Sequence, residues 1–265
     1  PYTTLFRSIT TALLDRRKKI VAANALYGAT INLLMNVMAP FGIETTFVDI
    51  CDLVKVAAAI DEEKPGAVLM ETVSNPLLRV GALDEIAKLT QAAGAALIVD
   101  NTFATPLLVR PLELGANLVV HSLTKYLAGH GDVLGGLIVS DEAHFAPLRS
   151  LSRTYGPTLG PFEAYLAMRG IKTFPLRMER QCRNAIEVAA FLRQHPGVAK
   201  VNFLNDPTHP DAAAIQRLLP NGMSGAMISF EIAGAGREEV FAFMNRLKLV
   251  VKATSLGDVH SMMLY

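Results

Sequence analysis

The stretch "HSLTKYLAGHGDVLGG", residues 121–136, sets one lysine, Lys125, behind two hydroxyl residues, Ser122 and Thr124, and ahead of a glycine-laced run with little other charge. Most lysines are solvated surface residues, so the neighbours must argue for anything else. A lysine amine freed of its proton is a nucleophile toward carbonyl carbon. Asp100 stands 25 positions earlier, with Asn101 beside it, and Asn75 precedes Pro76 further upstream. Singly, each has an ordinary explanation: Asp100 as a turn cap, Asn75 as a turn residue, the hydroxyls as loop polar groups. Together they are an amine nucleophile, a carboxylate and a set of short hydrogen-bonding side chains.

The elements that must position them are legible. "AVLME" (67–71), "ALIVDN" (96–101), "NLVVHS" (117–122) and "GLIVS" (136–140) are β-branched-rich and nearly continuous in hydrophobicity. Strands buried on both faces read this way, so they predict a mostly parallel sheet flanked by helices, an α/β fold. "ALDEIAKLTQAAG" (82–94) places Leu83, Ile86, Leu89 and Ala93 on one helical face, with Gly94 as its stop. A long helix is predicted over 174–197, with Met178, Ile186, Ala189 and Leu192 facing a core and Pro196-Gly197 ending it. From about Pro196 two strand-like runs and a helix at "REEVFAFMNRL" suggest a smaller α/β lobe, giving a large domain over 9–195 and the start of a second over 196–265. The first eight residues, "PYTTLFRS", lack a hydrophobic period and read like the translation of a sequencing-adapter oligonucleotide, so 1–8 are expected to be a non-native scar outside the fold. A helical pattern is read directly after them, at "ITTALLDRRKKI".

Open parallel sheets bind ligands outside the carboxyl ends of their strands. Asn75, Asp100, Asn101, His121, Ser122, Thr124 and Lys125 all fall at or just past such ends. An acid ending one strand and a lysine just past the next is what pyridoxal-phosphate chemistry requires. The amine condenses with the cofactor aldehyde, and the carboxylate keeps the pyridine nitrogen protonated. Short hydroxyls suit a phosphate, and the glycines at 129, 131, 135 and 136 let the backbone pass close to a bulky ring. A Rossmann-type nucleotide site would need G-x-G-x-x-G opening a helix; "AGHGDVLGG" lacks that spacing and precedes a strand.

Composition sets the outer limits. The 265 residues are 51% hydrophobic and 18% charged, enough for a sizeable core. The 25 basic and 24 acidic residues are interspersed, giving a formal charge of +1 and no basic stripe for nucleic acid. A small-molecule partner is expected. No apolar run is long enough for a membrane span. Two cysteines without a CxxC pair point to a reduced, cytoplasmic protein with no structural metal.

With "VDNTFATP" (99–106), "ETVSNPLLRV" (71–80), "ALYGAT" (25–30) and "MRGIKT" (168–173), the lysine segment resembles the Cys/Met-metabolism group of fold-type-I pyridoxal-phosphate enzymes. That group comprises the cystathionine and methionine γ-lyases, cystathionine γ-synthase and the O-acyl-homoserine sulfhydrylases. The resemblance extends over residues 9–265. It implies pyridoxal 5'-phosphate as cofactor, an amino-acid substrate, and a homotetramer built as a dimer of dimers. It makes Lys125 the cofactor-bearing lysine, Asp100 the partner of the pyridine nitrogen, and Ser122 and Thr124 the phosphate hydroxyls. Asn75 then lies near the ring hydroxyl and the substrate carboxylate, Ser255 on the carboxylate side, and Tyr27 over the cofactor as acid or base.

The implied activity is γ-elimination or γ-replacement on sulfur amino acids or activated homoserine, with the lyase type favoured and the synthase or sulfhydrylase as the alternative. Neither lyase prototype fits fully, since Thr254 stands where cystathionine-handling members carry an acid and Ala29 where methionine γ-lyases carry cysteine. Family members also have an N-terminal phosphate-binding segment and a C-terminal carboxylate-gripping arginine. Both are expected outside residues 1–265, so that the chain is a fragment at both ends; the alternative of a different class is a catalytically inert folded fragment or an assembly subunit.

Overall fold

Ala67–Glu71 is buried from end to end, and the strands beside it explain why. A computed structural model of the chain describes residues 2–13, 16–156, 158–219 and 223–265. The helix α1 (Tyr2–Ala12) leads into β1 (Lys19–Ala23), α2 (Gly28–Asn32), β2 (Glu44–Val48), α3 (Leu53–Glu63) and β3 (Ala67–Glu71). There follow α4 (Leu83–Ala92), β4 (Ala96–Asp100), α5 (Thr105–Leu108), β5 (Leu118–Ser122), β6 (Gly136–Ser140), α6 (Glu142–Tyr155) and α7 (Pro161–Gln194). The sheet order is β2-β1-β3-β4-β5-β6, parallel throughout except for β6, which runs antiparallel to β5. The central strands β3 and β5 are buried on both faces, which is what their unbroken apolar runs require. The fold is therefore the expected mixed α/β sheet flanked by helices.

Beyond α7 lie β7 (Val198–Asn202), α8 (Ala212–Leu218), β8 (Ser229–Ile232), α9 (Arg237–Arg246), β9 (Val251–Lys252) and β10 (Met262–Met263). The strands β7 and β8 pair antiparallel and β9 and β10 pair parallel, in two small sheets of their own. Asp211 ties this region back to the large sheet. Its carboxylate takes a two-pronged hydrogen bond from Arg79 at 2.7 and 2.9 Å and a third from the Val80 amide at 2.9 Å.

Three expectations are corrected. Residues 2–8 are not outside the fold: Leu5, Ile9 and Ala12, spaced on one helical face, are buried, and α1 packs on α6, β5 and β6. The pattern read as a helix over 9–20 stops at Ala12, and Lys19 already begins β1. Burying Ile20, Val21 and Ala22 between β2 and β3 outweighs any helical preference of the basic run before them. The long helix starts at Pro161, 13 residues before its predicted start. Proline suits a first helical position, and the early turns expose apolar side chains that hide the amphipathic pattern.

Candidate active site at the strand ends

Strand β5 ends at Ser122, and the chain turns through a wide π-type turn, Leu123–Leu127, before it can run on to β6. Within that turn Lys125 leaves the helical region, at φ −97° and ψ −136°. The turn is held from outside by α7. Arg177 donates to the carbonyls of Tyr126 (2.8 Å), Leu127 (3.1 Å) and Gly170 (2.9 Å), so one guanidinium satisfies the end of the turn and a carbonyl of its own helix. Gly170 lets the helix come this close, since a Cβ there would run into the Ala128 carbonyl.

On the other side, the loop after β9 settles on the same turn. A Cβ on Gly257 would lie 2.5 Å from the Tyr126 nitrogen and 2.9 Å from the Lys125 carbonyl carbon, and its φ of +77° suits only glycine. This contact brings Ser255 over the lysine, whose Nζ donates to Ser255 Oγ at 3.1 Å. No carboxylate pairs with Lys125 among the described residues, and burial lowers its pKa from the usual lysine range.

The parallel register aligns the other groups. Glu71 lies opposite Asp100, and Asp100 opposite Val120, one residue before His121. Asp100 accepts from the Thr102 amide at 3.0 Å and from the Thr102 hydroxyl. Thr102 Oγ1 in turn accepts from the Ser122 amide at 2.9 Å, so one threonine joins the ends of β4 and β5. Burial pushes the Asp100 carboxyl above its ordinary range, against the hydrogen bonds from Thr102. Glu71 is pushed up as well, by burial first and by the charge of Asp100 second. Neither forms an ion pair with a lysine or arginine among the described residues.

The residues singled out from the sequence sit around this edge, in different states. The Ser122 hydroxyl is buried without a partner among the described residues. The Thr124 hydroxyl is engaged by the chain itself, accepting from the Gly135 amide at 3.1 Å and lying 3.4 Å from the Gly135 carbonyl. The amides of Tyr27 and Asn75 both donate to the Glu71 carboxylate, Tyr27 at 2.6 Å. The Tyr27 side chain is half exposed. Asn101, next to Asp100, is a structural tie, accepting from Thr72 at 2.7 Å and donating to the Val109 carbonyl at 2.8 Å. Glu71, Thr102 and Arg177 were not foreseen as site residues. For Glu71 one signal was present: an acid closing an otherwise apolar, buried strand.

A cofactor with a cationic ring nitrogen, an aldehyde and a phosphate fits this edge. Two buried carboxyls without a counter-ion suit the cation, the orphaned Ser122 hydroxyl suits an anionic oxygen, and the desolvated Lys125 amine suits the aldehyde. Fold and site together define an α/β protein of the pyridoxal-phosphate type, with its lysine past a strand end. The chain belongs to the Cys/Met metabolism PLP-dependent enzyme family, whose model matches residues 3–265.

Among curated relatives it is 41% identical over 249 residues to an L-methionine gamma-lyase of Fusobacterium nucleatum subsp. polymorphum, covering 92% of this chain and 61% of that protein. It is also 41% identical to a cystathionine gamma-lyase of Bacillus subtilis (strain 168), covering 92% and 63%. The chain thus spans about three-fifths of the length of these relatives. The crystal structure of cystathionine gamma-lyase from Lactobacillus plantarum complexed with L-serine superposes with a TM-score of 0.92 at 35% identity, over 99% of this chain and 68% of that one.

Proposed function

We propose that the protein carrying this chain cleaves or exchanges the bond at the γ-carbon of sulfur amino acids or activated homoserine, as a γ-lyase acting on methionine or cystathionine. The observation that carries the reading is Lys125, desolvated, without a carboxylate partner among the described residues and held against Ser255 beside the Asp100 strand end. The similarity to methionine and cystathionine gamma-lyases supports it. A solved cystathionine gamma synthase from Xanthomonas oryzae pv. oryzae, also similar at a TM-score of 0.92, supports γ-replacement as the second reading.

Lys125, Asp100, Ser122, Thr124 and Asn75 would hold pyridoxal phosphate, which when bound supplies an aldehyde and an electron-accepting ring. Asp100 keeps a proton on the ring nitrogen, by the opposite-charge rule acting in a buried setting. The lowered pKa of Lys125 makes its amine available as a base, and Nζ takes the proton from the substrate α-carbon. Ser255 Oγ orients that amine and faces the substrate carboxylate side. The Tyr27 phenol gives a proton to the departing sulfur. Phe162, Tyr165 and Met168 expose one apolar face of α7, which supports association with further copies of the chain.

The test uses the full-length protein and its Lys125→Ala variant with methionine, cystathionine and O-acetylhomoserine. A 2-oxo acid and a thiol formed only by the wild type, together with cofactor fixed to it by borohydride and absent from the variant, is the expected result. Turnover by the variant refutes the assignment of Lys125, and a new thioether without 2-oxo acid selects γ-replacement.

A further inference from the structure

Strand β3 is apolar from Ala67 to Met70 and ends in a buried carboxylic acid that forms no ion pair among the described residues. What Glu71 does bind is backbone. Its Oε1 accepts the Tyr27 amide from 44 residues upstream, at 2.6 Å, and its carboxylate also accepts the Asn75 amide. Tyr27 occupies the N-cap position of α2, and that helix has no side-chain cap of its own. A serine or aspartate at the cap would satisfy a first-turn amide locally and at low cost. Such a local cap would fix the start of α2 but leave its distance from the sheet free. A carboxylate reaching from β3 fixes it relative to Asp100, the register partner of Glu71.

We infer that Glu71 is a positioning residue of this site: through the amides of Tyr27 and Asn75, its carboxylate pins the two turns bearing those side chains to the strand end beside Asp100. The inference rests on the site assignment made above. Glutamine has one acceptor oxygen and an NH2 donor where the acid has two oxygens, so an acid suits two amides arriving from separate turns. The two amides favour the ionised carboxylate against the burial and the Asp100 charge that push its pKa up, and the 2.6 Å separation is that of a strong bond. The strength matters because α2 has only five residues and little helical stability of its own.

The test compares Glu71→Ala, Glu71→Gln and Glu71→Asp in the full-length protein, reading amide exchange at Tyr27 and Asn75 alongside kcat, KM and melting temperature. Alanine removes the acceptor, and both amides are expected to exchange about tenfold faster or more, the equivalent of one lost hydrogen bond. In the same variant kcat is expected to fall roughly 10- to 100-fold, more than KM rises, since the reacting groups are misplaced rather than lost. Glutamine keeps one acceptor oxygen and is expected to restore the exchange protection in part, together with part of kcat. If Glu71→Ala does not fold, Glu71→Asp gives the reading, because its shorter arm releases the amides while keeping the charge.

Wild-type exchange at both amides in the alanine variant, or in the aspartate variant where that one stands in, overturns the inference. So does a glutamine variant with protected amides and a kcat as low as that of alanine, which would make the charge itself the requirement. Amides released as expected in a protein without any γ-elimination or γ-replacement activity would count against the functional reading and leave the positioning in place.

Discussion

Substituting Gly257 by alanine tests whether the loop after β9 sets the lysine. The added Cβ would begin 2.5 Å from the Tyr126 nitrogen, whereas ordinary contact begins near 3.4 Å, so something must move by about 0.9 Å. Alanine at a φ of +77° adds a strain of roughly 1–2 kcal/mol. The Lys125 turn is the stiffer partner, because Arg177 holds its carbonyls and Gly170 packs against it. The loop therefore retreats. A shift of that size stretches the 3.1 Å link from Lys125 to Ser255 to about 4 Å, beyond hydrogen-bonding range. A misplacement near 1 Å is expected to lower kcat by about 100-fold. The assay is steady-state formation of 2-oxo acid by the full-length Gly257→Ala protein, with thermal unfolding to show that the fold survives. Wild-type kcat in a folded variant would refute the claim that this contact positions the site.

Other outcomes follow from single interactions. Asp100→Asn is expected to keep the fold and slow deuterium exchange at the substrate α-carbon by about 100-fold or more, followed by NMR; exchange at the wild-type rate would reduce Asp100 to a turn cap. Arg177→Lys, with one ammonium in place of a fork, should leave at least one of the carbonyls at 126 and 127 without this donor, costing about 1–2 kcal/mol in urea unfolding. Burial opposes the charge on Asp211, yet the hydrogen bonds and charge of Arg79 and the Val80 amide hold its carboxyl below the ordinary range. Its folded pKa is depressed, so its contribution to stability is present above about pH 4, the unfolded value, and lost as pH falls through the folded one. The stability gap between wild type and Asp211→Asn should therefore narrow below about pH 4 in urea titrations.

Much of this was legible in the sequence for one physical reason: strands buried on both faces must be apolar almost without interruption. β3, β4 and β5 announced themselves that way, and their ends marked Asp100, Ser122 and Lys125; β6 was read by the same rule, yet it is an edge strand whose Leu137 and Val139 are exposed. The strand β1 did not, because "KIVAA" follows a run of arginines and lysines that blends into the preceding helix. β2, with "ETTFV" at the sheet edge, is only partly buried and carries too little hydrophobic signal. The supporting groups were hidden for another reason. Glu71 acts on backbone amides, which no residue type advertises, and Arg79 and Asp211 meet across 132 positions. Spacing rules reach along a helix or a turn, whereas these contacts exist only once the chain has folded.

The 34 residues of α7 make a rod about 50 Å long, at the usual rise per residue. Between its first third and its midpoint, Gly170 and Arg177 grip the Lys125 turn; near its far end, Ala185 and Ala189 pack on Phe203, just past β7. A rod gripped at two places works as a lever. A tilt of the small sheet formed by β7 and β8 is expected to reach the carbonyls around Lys125 through Arg177, which lies on the same side of the internal Pro175 as Ala185 and Ala189. The setting of the lysine is thus shared with a part of the molecule that touches no reacting group, and variation there can retune the site without altering a residue within it.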